Sequence, residues 1–354
     1  MIQLFQLNRI WQEIREQALA EIDQTCSQGF AQKGSSVDFI ESWLKSYSGK
    51  KYAVTMASCT DALTTIIQSL NLEKNSKIAV TCYSFFATAS AIIKSGHTPV
   101  FVDVDNHYRI NINQIPNDCA AVIVVDLFGY PINYSMLDNI AIPVIMDAAQ
   151  SLETYSVYGK SVAQGIASAV SFSPTKTIPT FGSGGAVVTN DDGIADFALR
   201  WRTHGKYNNQ SLSSTIGANS MLSSMEAAQL KVAIQHSPRW LLRRKHIAAS
   251  FFQSIRSHRL TKPNYHEGHS WHKFVITCNT EATRNELAEH LKINNIQSEI
   301  YYKHLLHKEP LLVGENITLP NSERLVKCTL AIPCQHTLSD AEVELICKAL
   351  ESFE

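Results

Sequence analysis

The chain has 354 residues, 45% of them hydrophobic and only 18% charged, enough for roughly two domains with a large core. Its formal net charge of -1 gives no global field that would draw nucleic acid or an anionic membrane, so any phosphate must be held by a local site. The eight cysteines (Cys26, Cys59, Cys82, Cys119, Cys278, Cys328, Cys334 and Cys347) form no CxxC pair with metal-ligand spacing, and several lie in apolar runs. Reduced, buried thiols in a cytosolic protein are the expectation.

The first 22 residues, MIQLFQLNRIWQEIREQALAEI, are amphipathic and carry charges throughout. They lack an uninterrupted apolar core and a small-residue cleavage site, so residues 1–30 read as a helical segment and not as a signal peptide. No apolar run approaches a membrane span, and a soluble, cytoplasmic protein is expected. From about residue 60 to 190, strand-like and helix-like segments alternate. IAVTCYS (78–84) is strand-like, FATASAIIKSG (86–96) is a helix ended by glycine, and TPVFVDVD (98–105) and AAVIVVDLFG (120–129) are strands. SMLDNIA (135–141) reads as a short helix, PVIMDA (143–148) as a strand, and ASAVSFS (167–173) and GGAVVTN (184–190) complete the set. Near-continuous Val, Ile and Ala predict strands buried on both faces, hence an α/β domain with a mostly parallel sheet between helices. Ligands of such sheets bind beyond the carboxyl ends of the strands.

From about 192 to 250 three helical stretches follow: ADFALRWRTHG, MLSSMEAAQLKVAIQ and WLLRRKHIAASFFQSIRS. Beyond 260, KFVITCN and IQSEIYY read as strands, EATRNELAEHLKIN as a helix, and SDAEVELICKALESF as a closing helix capped by Ser339 or Asp340. The expected division is residues 1–30, a large domain over 31–245 and a smaller α+β domain over 246–354.

Lys176 stands in AVSFSPTKTIPTFGSGGAVVTN, between an apolar stretch and a glycine-rich turn. Read locally it is either a surface lysine at a strand end or a desolvated amine, which loses its proton readily and forms Schiff bases with carbonyls such as the aldehyde of pyridoxal phosphate (PLP). Asp147 ends PVIMD; it is either a helix cap or the carboxylate that pairs with a protonated pyridine nitrogen. In ASCTDALTTIIQSL (57–70) small residues run into a helix, whose first amides, helped by Ser58 and Thr60, suit a phosphate as well as an ordinary N-cap. Phe85 or Phe86 follows a strand and is core or a ring that stacks on a ligand. Ser171 lies five residues before Lys176, where a hydroxyl reaches a phosphate.

The segments ASCTDALT, SFFATASAIIKSGHTPVFVDVD, VVDLFGYP, VIMDAAQS, SFSPTK and GSGGAVVTND occur in that order, followed by IGANSMLSSMEAAQL, HSWHKFVI and LAIPCQHTLSDAEVELI. From about residue 35 to the C-terminus the chain closely resembles the sugar-nucleotide aminotransferases of the DegT/DnrJ/EryC1/StrS family, which have the fold-type-I PLP architecture. The resemblance implies that Lys176 forms the Schiff base with the cofactor, Asp147 partners the pyridine nitrogen, Gln150 contacts the ring hydroxyl and Phe85 stacks on the ring. It places the phosphate on Cys59, Thr60 and Ser171, with Asn219 reaching it from a neighbouring subunit, and so implies a homodimer with shared active sites. The family often has an arginine at Met221 and a glycine at Glu153. YYKHLLHKEP (301–310) lacks prolines common in the family's matching segment, although His307 fits a histidine found there.

The implied reaction is transamination from an amino acid, L-glutamate, to a keto-sugar linked to a nucleoside diphosphate, with Lys176 as general base and acid. A PLP-dependent sugar dehydratase is the alternative in which the lysine is typically histidine. A cysteine desulfurase needs a reactive cysteine near the site, for which Cys59 and Cys82 are the nearest by motif. A non-catalytic binding protein on the same fold has no need of lysine, aspartate, glutamine and aromatic ring together. His204, Lys206, Tyr207, Tyr301, Tyr302 and His307 are the candidate loop residues for sugar selectivity.

Overall fold

The computed structural model describes residues 1–29, 31–206, 212–312 and 317–354. Tyr207 lies outside them. Two helices, α1 (Leu7–Ser27) and α2 (Ser35–Ser48), precede the first strand, β1 (Tyr52–Met56). The chain then alternates through α3 (Cys59–Ser69), β2 (Lys77–Thr81), α4 (Phe86–Lys94), β3 (Thr98–Val102), β4 (Cys119–Val125) and β5 (Val144–Asp147). A two-residue hairpin, β6 (Tyr155–Ser156) and β7 (Gly159–Lys160), leads to β8 (Ala167–Ser171), β9 (Gly185–Thr189) and α5 (Asp192–Trp201).

The apolar runs assemble into a seven-stranded sheet in the order β1-β9-β8-β5-β4-β2-β3. Strands β3, β2, β4, β5 and β8 run parallel, and β9 and β1 close the far edge antiparallel. This is the mostly parallel sheet the strand composition predicts. Side chains alternate between two buried faces. Val54, Met56, Ile78, Val80, Ile123 and Ile145 point toward α3, α4 and α5, whereas Ala53, Val170, Ala186 and Val188 point toward α1, α2 and α6 (Ser224–Ser254). Each fully buried Val, Leu or Ile contributes roughly 1.5–3 kcal/mol, which is what holds helices to both faces.

The second half of α6 packs with a smaller unit built from β10 (Leu260–Thr261), β11 (Phe274–Cys278), α7 (Glu281–Ile293), α8 (Pro320–Cys328), β12 (Thr329–Ile332) and α9 (Asp340–Glu351). Its antiparallel sheet has the order β10-β11-β12. Residues 245 and 246, the expected division between domains, lie within the continuous α6.

Three local expectations are corrected. The two stretches read as separate helices across Pro238 are one helix of 31 residues. Proline removes the amide that would bond the carbonyl four residues back, but the Ser237 hydroxyl donates to that carbonyl of Ile234 at 2.9 Å, so the helix continues. AAVIVVDLFG does not stay extended: β4 stops at Val125, because Asp126 accepts from the Ile132 amide at 3.2 Å and the Tyr134 hydroxyl at 2.5 Å and turns the chain back. IQSEIYY forms no strand; it makes single bridges at Ile296 to Ile2 and at Glu299 to Ala331. After Glu299 the chain leaves the sheet edge, as the Tyr301 carbonyl accepts from the Tyr83 hydroxyl and the Tyr302 hydroxyl bonds Gln150.

The closing helix is capped by Ser339, whose hydroxyl accepts from the Glu342 amide at 3.2 Å while the Glu342 carboxylate accepts from the Ser339 amide at 2.9 Å. Ser339→Ala should lower global stability by about 1 kcal/mol, read as a shift of the urea midpoint at unchanged slope.

Candidate active site

The parallel strands end at one crevice, and their last residues carry polar groups. Asp147 is the final residue of β5 and Ser171 that of β8; Ser84 and Phe85 follow β2, and Lys176 lies just beyond β8. These residues, with Ser58, Cys59, Thr60, Thr88 and Gln150, line a cavity of about 230 Å³.

One end of the cavity is the start of α3. The Ser58 hydroxyl caps the helix by accepting from the Asp61 amide at 3.1 Å. The amides of Cys59 and Thr60 have no acceptor among the described residues. Two free amides at a helix N-terminus, beside the hydroxyls of Ser58, Thr60 and Ser171, form a donor set suited to a phosphate. The close approach of β9 shapes this turn. A Cβ on Gly185 would lie 2.4 Å from the Ser58 carbonyl carbon and 2.5 Å from the Cys59 nitrogen.

The other end holds Asp147, only 4% exposed. Its two oxygens accept from the Thr88 hydroxyl at 2.8 Å and the Ala149 amide at 3.1 Å. Burial raises its pKa above the usual carboxylate value, against the lowering effects of Thr88, Ala149 and Lys176. A buried carboxylate of raised basicity is a strong acceptor for a protonated ring nitrogen.

Lys176 enters the cavity from the loop after β8, with its amide bonded to the Ser173 carbonyl at 2.9 Å. The residue is half-buried, and burial lowers its pKa below the ordinary lysine value, while Cys59 and Asp147 favour the charged form. The following residue is anchored by a buried pair: Arg244 donates to the Thr177 carbonyl at 2.8 Å and faces Glu153 at 3.5 Å. Glu153 therefore completes a charge pair beneath the lysine loop. Cys59 and Cys82 are poor nucleophiles: burial pushes the Cys59 thiol well above its ordinary value and Cys82 up to about 12.

Phe85 is 57% exposed and lines the cavity, an unusual setting for phenylalanine, whereas Phe86 packs against Ala89, Leu306 and Leu312. Gln150 accepts from the Phe128 amide at 2.9 Å and donates to the Tyr302 hydroxyl at 2.8 Å. His272 lies 3.1 Å from the Gln150 side-chain oxygen through Nδ1 and 3.1 Å from the Thr175 carbonyl through Nε2. Burial, with Lys273 and Lys176 adding to it, holds that ring neutral, so one of the two nitrogens donates and the other does not.

Asn219 is exposed and does not line this cavity; it sits beside Ser220, whose carbonyl accepts from the Ala57 amide at 2.8 Å. His204 and Lys206 are exposed and also outside it, and His307 is buried against Phe101. Sequence reasoning missed Thr88, His272 and Lys273 as groups that hold or flank the site. Thr88 stands three residues after Phe85 in the SFFATASAIIKSGHTPVFVDVD segment, where one helical turn returns it to the strand ends.

A sequence profile described as the DegT/DnrJ/EryC1/StrS aminotransferase family matches residues 12–351. The chain belongs to that family. It is 30% identical to a dTDP-3-amino-3,6-dideoxy-alpha-D-galactopyranose transaminase of Aneurinibacillus thermoaerophilus, over 99% of this chain and 98% of the relative. It is 26% identical to a UDP-2-acetamido-2-deoxy-3-oxo-D-glucuronate aminotransferase of Pseudomonas aeruginosa, over 99% of each. A crystal structure of a DegT DnrJ EryC1 StrS aminotransferase from Brucella abortus superposes with a TM-score of 0.92 at 28% identity, covering 100% of this chain and 99% of that one. The fold is thus that of the family's aminotransferases.

Gly185→Ala should force the Ser58–Cys59 turn away from β9. A stability loss of about 1–3 kcal/mol and weaker retention of PLP are expected, measured by thermal melting and by cofactor absorbance after gel filtration.

Proposed function

We propose that this protein is a PLP-dependent aminotransferase that moves an amino group from an amino acid, L-glutamate, to a keto-sugar linked to a nucleoside diphosphate, giving an amino sugar. The observation that carries the reading is the pairing of a desolvated Lys176 amine with buried Asp147 in one cavity that ends in the free amides of α3. The donor set fits PLP: a phosphate at Cys59, Thr60 and Ser171, a ring against Phe85, its hydroxyl near Gln150 and its nitrogen at Asp147. When bound, that cofactor supplies an electron sink that makes a substrate carbon acidic.

The chain's own groups do the rest. Asp147 keeps a proton on the ring nitrogen by accepting from it. Thr88 and the Ala149 amide fix the carboxylate so that no reorientation is needed during reaction. The Lys176 amine, whose charged form burial disfavours, would take the proton from the substrate carbon and return it two atoms away, across the intervening nitrogen. A lysine at this position, in place of histidine, favours amino transfer over sugar dehydration.

We propose that the protein acts as a homodimer whose second copy brings Asn219 to the phosphate. The segment that carries Asn219 also exposes Leu212 (81%) and Ile216 (92%), apolar side chains that a partner surface would cover. All eight cysteines are free, and no described helix is long and apolar enough to cross a membrane, which supports a reducing, cytoplasmic setting.

Incubation with L-glutamate and keto-sugar nucleotides should yield 2-oxoglutarate and an amino-sugar nucleotide by mass spectrometry, and Lys176→Ala should lower turnover about a thousandfold or more with the fold intact. Comparable turnover in that variant refutes the assignment. Mixing Lys176→Ala with Asn219→Ala chains should restore part of the activity through dimers holding one intact site; no recovery would show that Asn219 serves its own subunit.

A further inference from the structure

Among the described residues, the cofactor cavity is lined by one cation, Lys176. An amino-acid donor always brings a carboxylate next to the amine that reacts, and that anion needs a partner in a water-poor site. Met221 supplies none. The cation that feels the charge of Lys176 and has no hydrogen-bond acceptor for its amine among the described residues is Lys273, just before β11. Its amine stands 4.0 Å from the centre of the Tyr301 ring and makes no ion pair or side-chain hydrogen bond among the described residues. Glu299, the carboxylate that acts on it, is engaged by Lys303 at 3.3 Å.

Lys273 is also the residue common to two cavities. One is the narrow cleft that holds Lys176, His272 and Arg244, and the other is a space of about 430 Å³ between Tyr130, Thr277 and Arg324. Among the described residues, no carboxylate lines either. The other cations of the larger space have acceptors: Lys262 donates to the Phe252 carbonyl at 2.5 Å and Arg324 to the Asn106 side chain at 2.9 Å. Burial first, and then the positive charge of Lys176, bring the Lys273 amine down to about 7 against the favourable charge of Glu299.

The geometry points to Lys273 as a carboxylate-binding subsite of this active site, where its amine takes the carboxylate of the amino-acid donor. The inference rests on the aminotransferase reading above. The arriving carboxylate would restore the charge that burial disfavours, so donor binding and protonation of Lys273 are coupled. No covalent step is involved.

The test uses the full-length, PLP-loaded protein and its Lys273→Met and Lys273→Arg variants. L-Glutamate is added without sugar and the cofactor absorbance is followed through the single half-reaction. The half-saturating glutamate concentration should rise about ten- to a hundredfold in Lys273→Met, the rate at saturation should stay within about threefold, and Lys273→Arg should recover most of the loss. If Lys273→Met does not fold, Lys273→Gln carries the same prediction. A second arm starts from the pyridoxamine phosphate form and compares a neutral keto-sugar nucleotide with one bearing a carboxylate. A loss confined to the acidic sugar would overturn the donor assignment and place the acceptor's carboxylate at Lys273. Unchanged glutamate dependence in a normally loaded Lys273→Met protein would overturn the subsite. Failure of the unsubstituted protein to take up PLP would instead remove the aminotransferase reading, so the two failures are distinguishable.

Discussion

The removal of the Lys176 amine from water is the constraint on which the rest of the site depends. Burial works against the ammonium form; Asp147 works for it. With Cys59 held as a protonated thiol, Asp147 is the anion that opposes deprotonation, and burial still wins. Each unit by which a pKa falls corresponds to about 1.4 kcal/mol of preference for the neutral amine. That preference makes lysine a nucleophile and a base. It exists only because the strands behind it are packed on both faces and because Arg244 and Glu153 hold the loop at Thr177.

A second lysine close by sharpens the point. Lys273 is also depressed by burial, to about 7, so a lowered pKa alone does not distinguish a cofactor lysine. What separates them is company. Lys176 shares its cavity with Asp147, Gln150, Phe85 and the free amides of α3, whereas Lys273 faces Tyr301 and a space walled by cations and aromatic rings. Site assignment therefore rests on the constellation.

Much of this was legible in the sequence. Near-continuous Val, Ile and Ala runs point to strands buried on both faces, and Asp147 at a strand end followed from where its run stops; ASAVSFS, read as a strand to residue 173, instead ends at Ser171. Choosing Phe85 over Phe86 as the cavity ring took the resemblance, since neighbouring aromatics look alike without burial. The rest depended on contacts across long sequence separations. IQSEIYY alternates like a strand, yet the Tyr83 hydroxyl and Gln150 capture its two tyrosines and take it off the sheet edge. Proline marks a helix break in a sequence; at Pro238 a preceding serine repairs the orphaned carbonyl, and local periodicity contains no trace of that repair. Lys273 opens the run KFVITCN, which read only as a strand, because the burial and neighbouring charge of its amine are properties of its surroundings.

The most direct test of the account is borohydride reduction of the purified, PLP-loaded protein followed by peptide mass mapping. The account predicts a pyridoxyl mass on the peptide containing Lys176 and on no other. A pyridoxyl mass on Lys273 instead, or no adduct at any lysine after incubation with excess PLP, would contradict it.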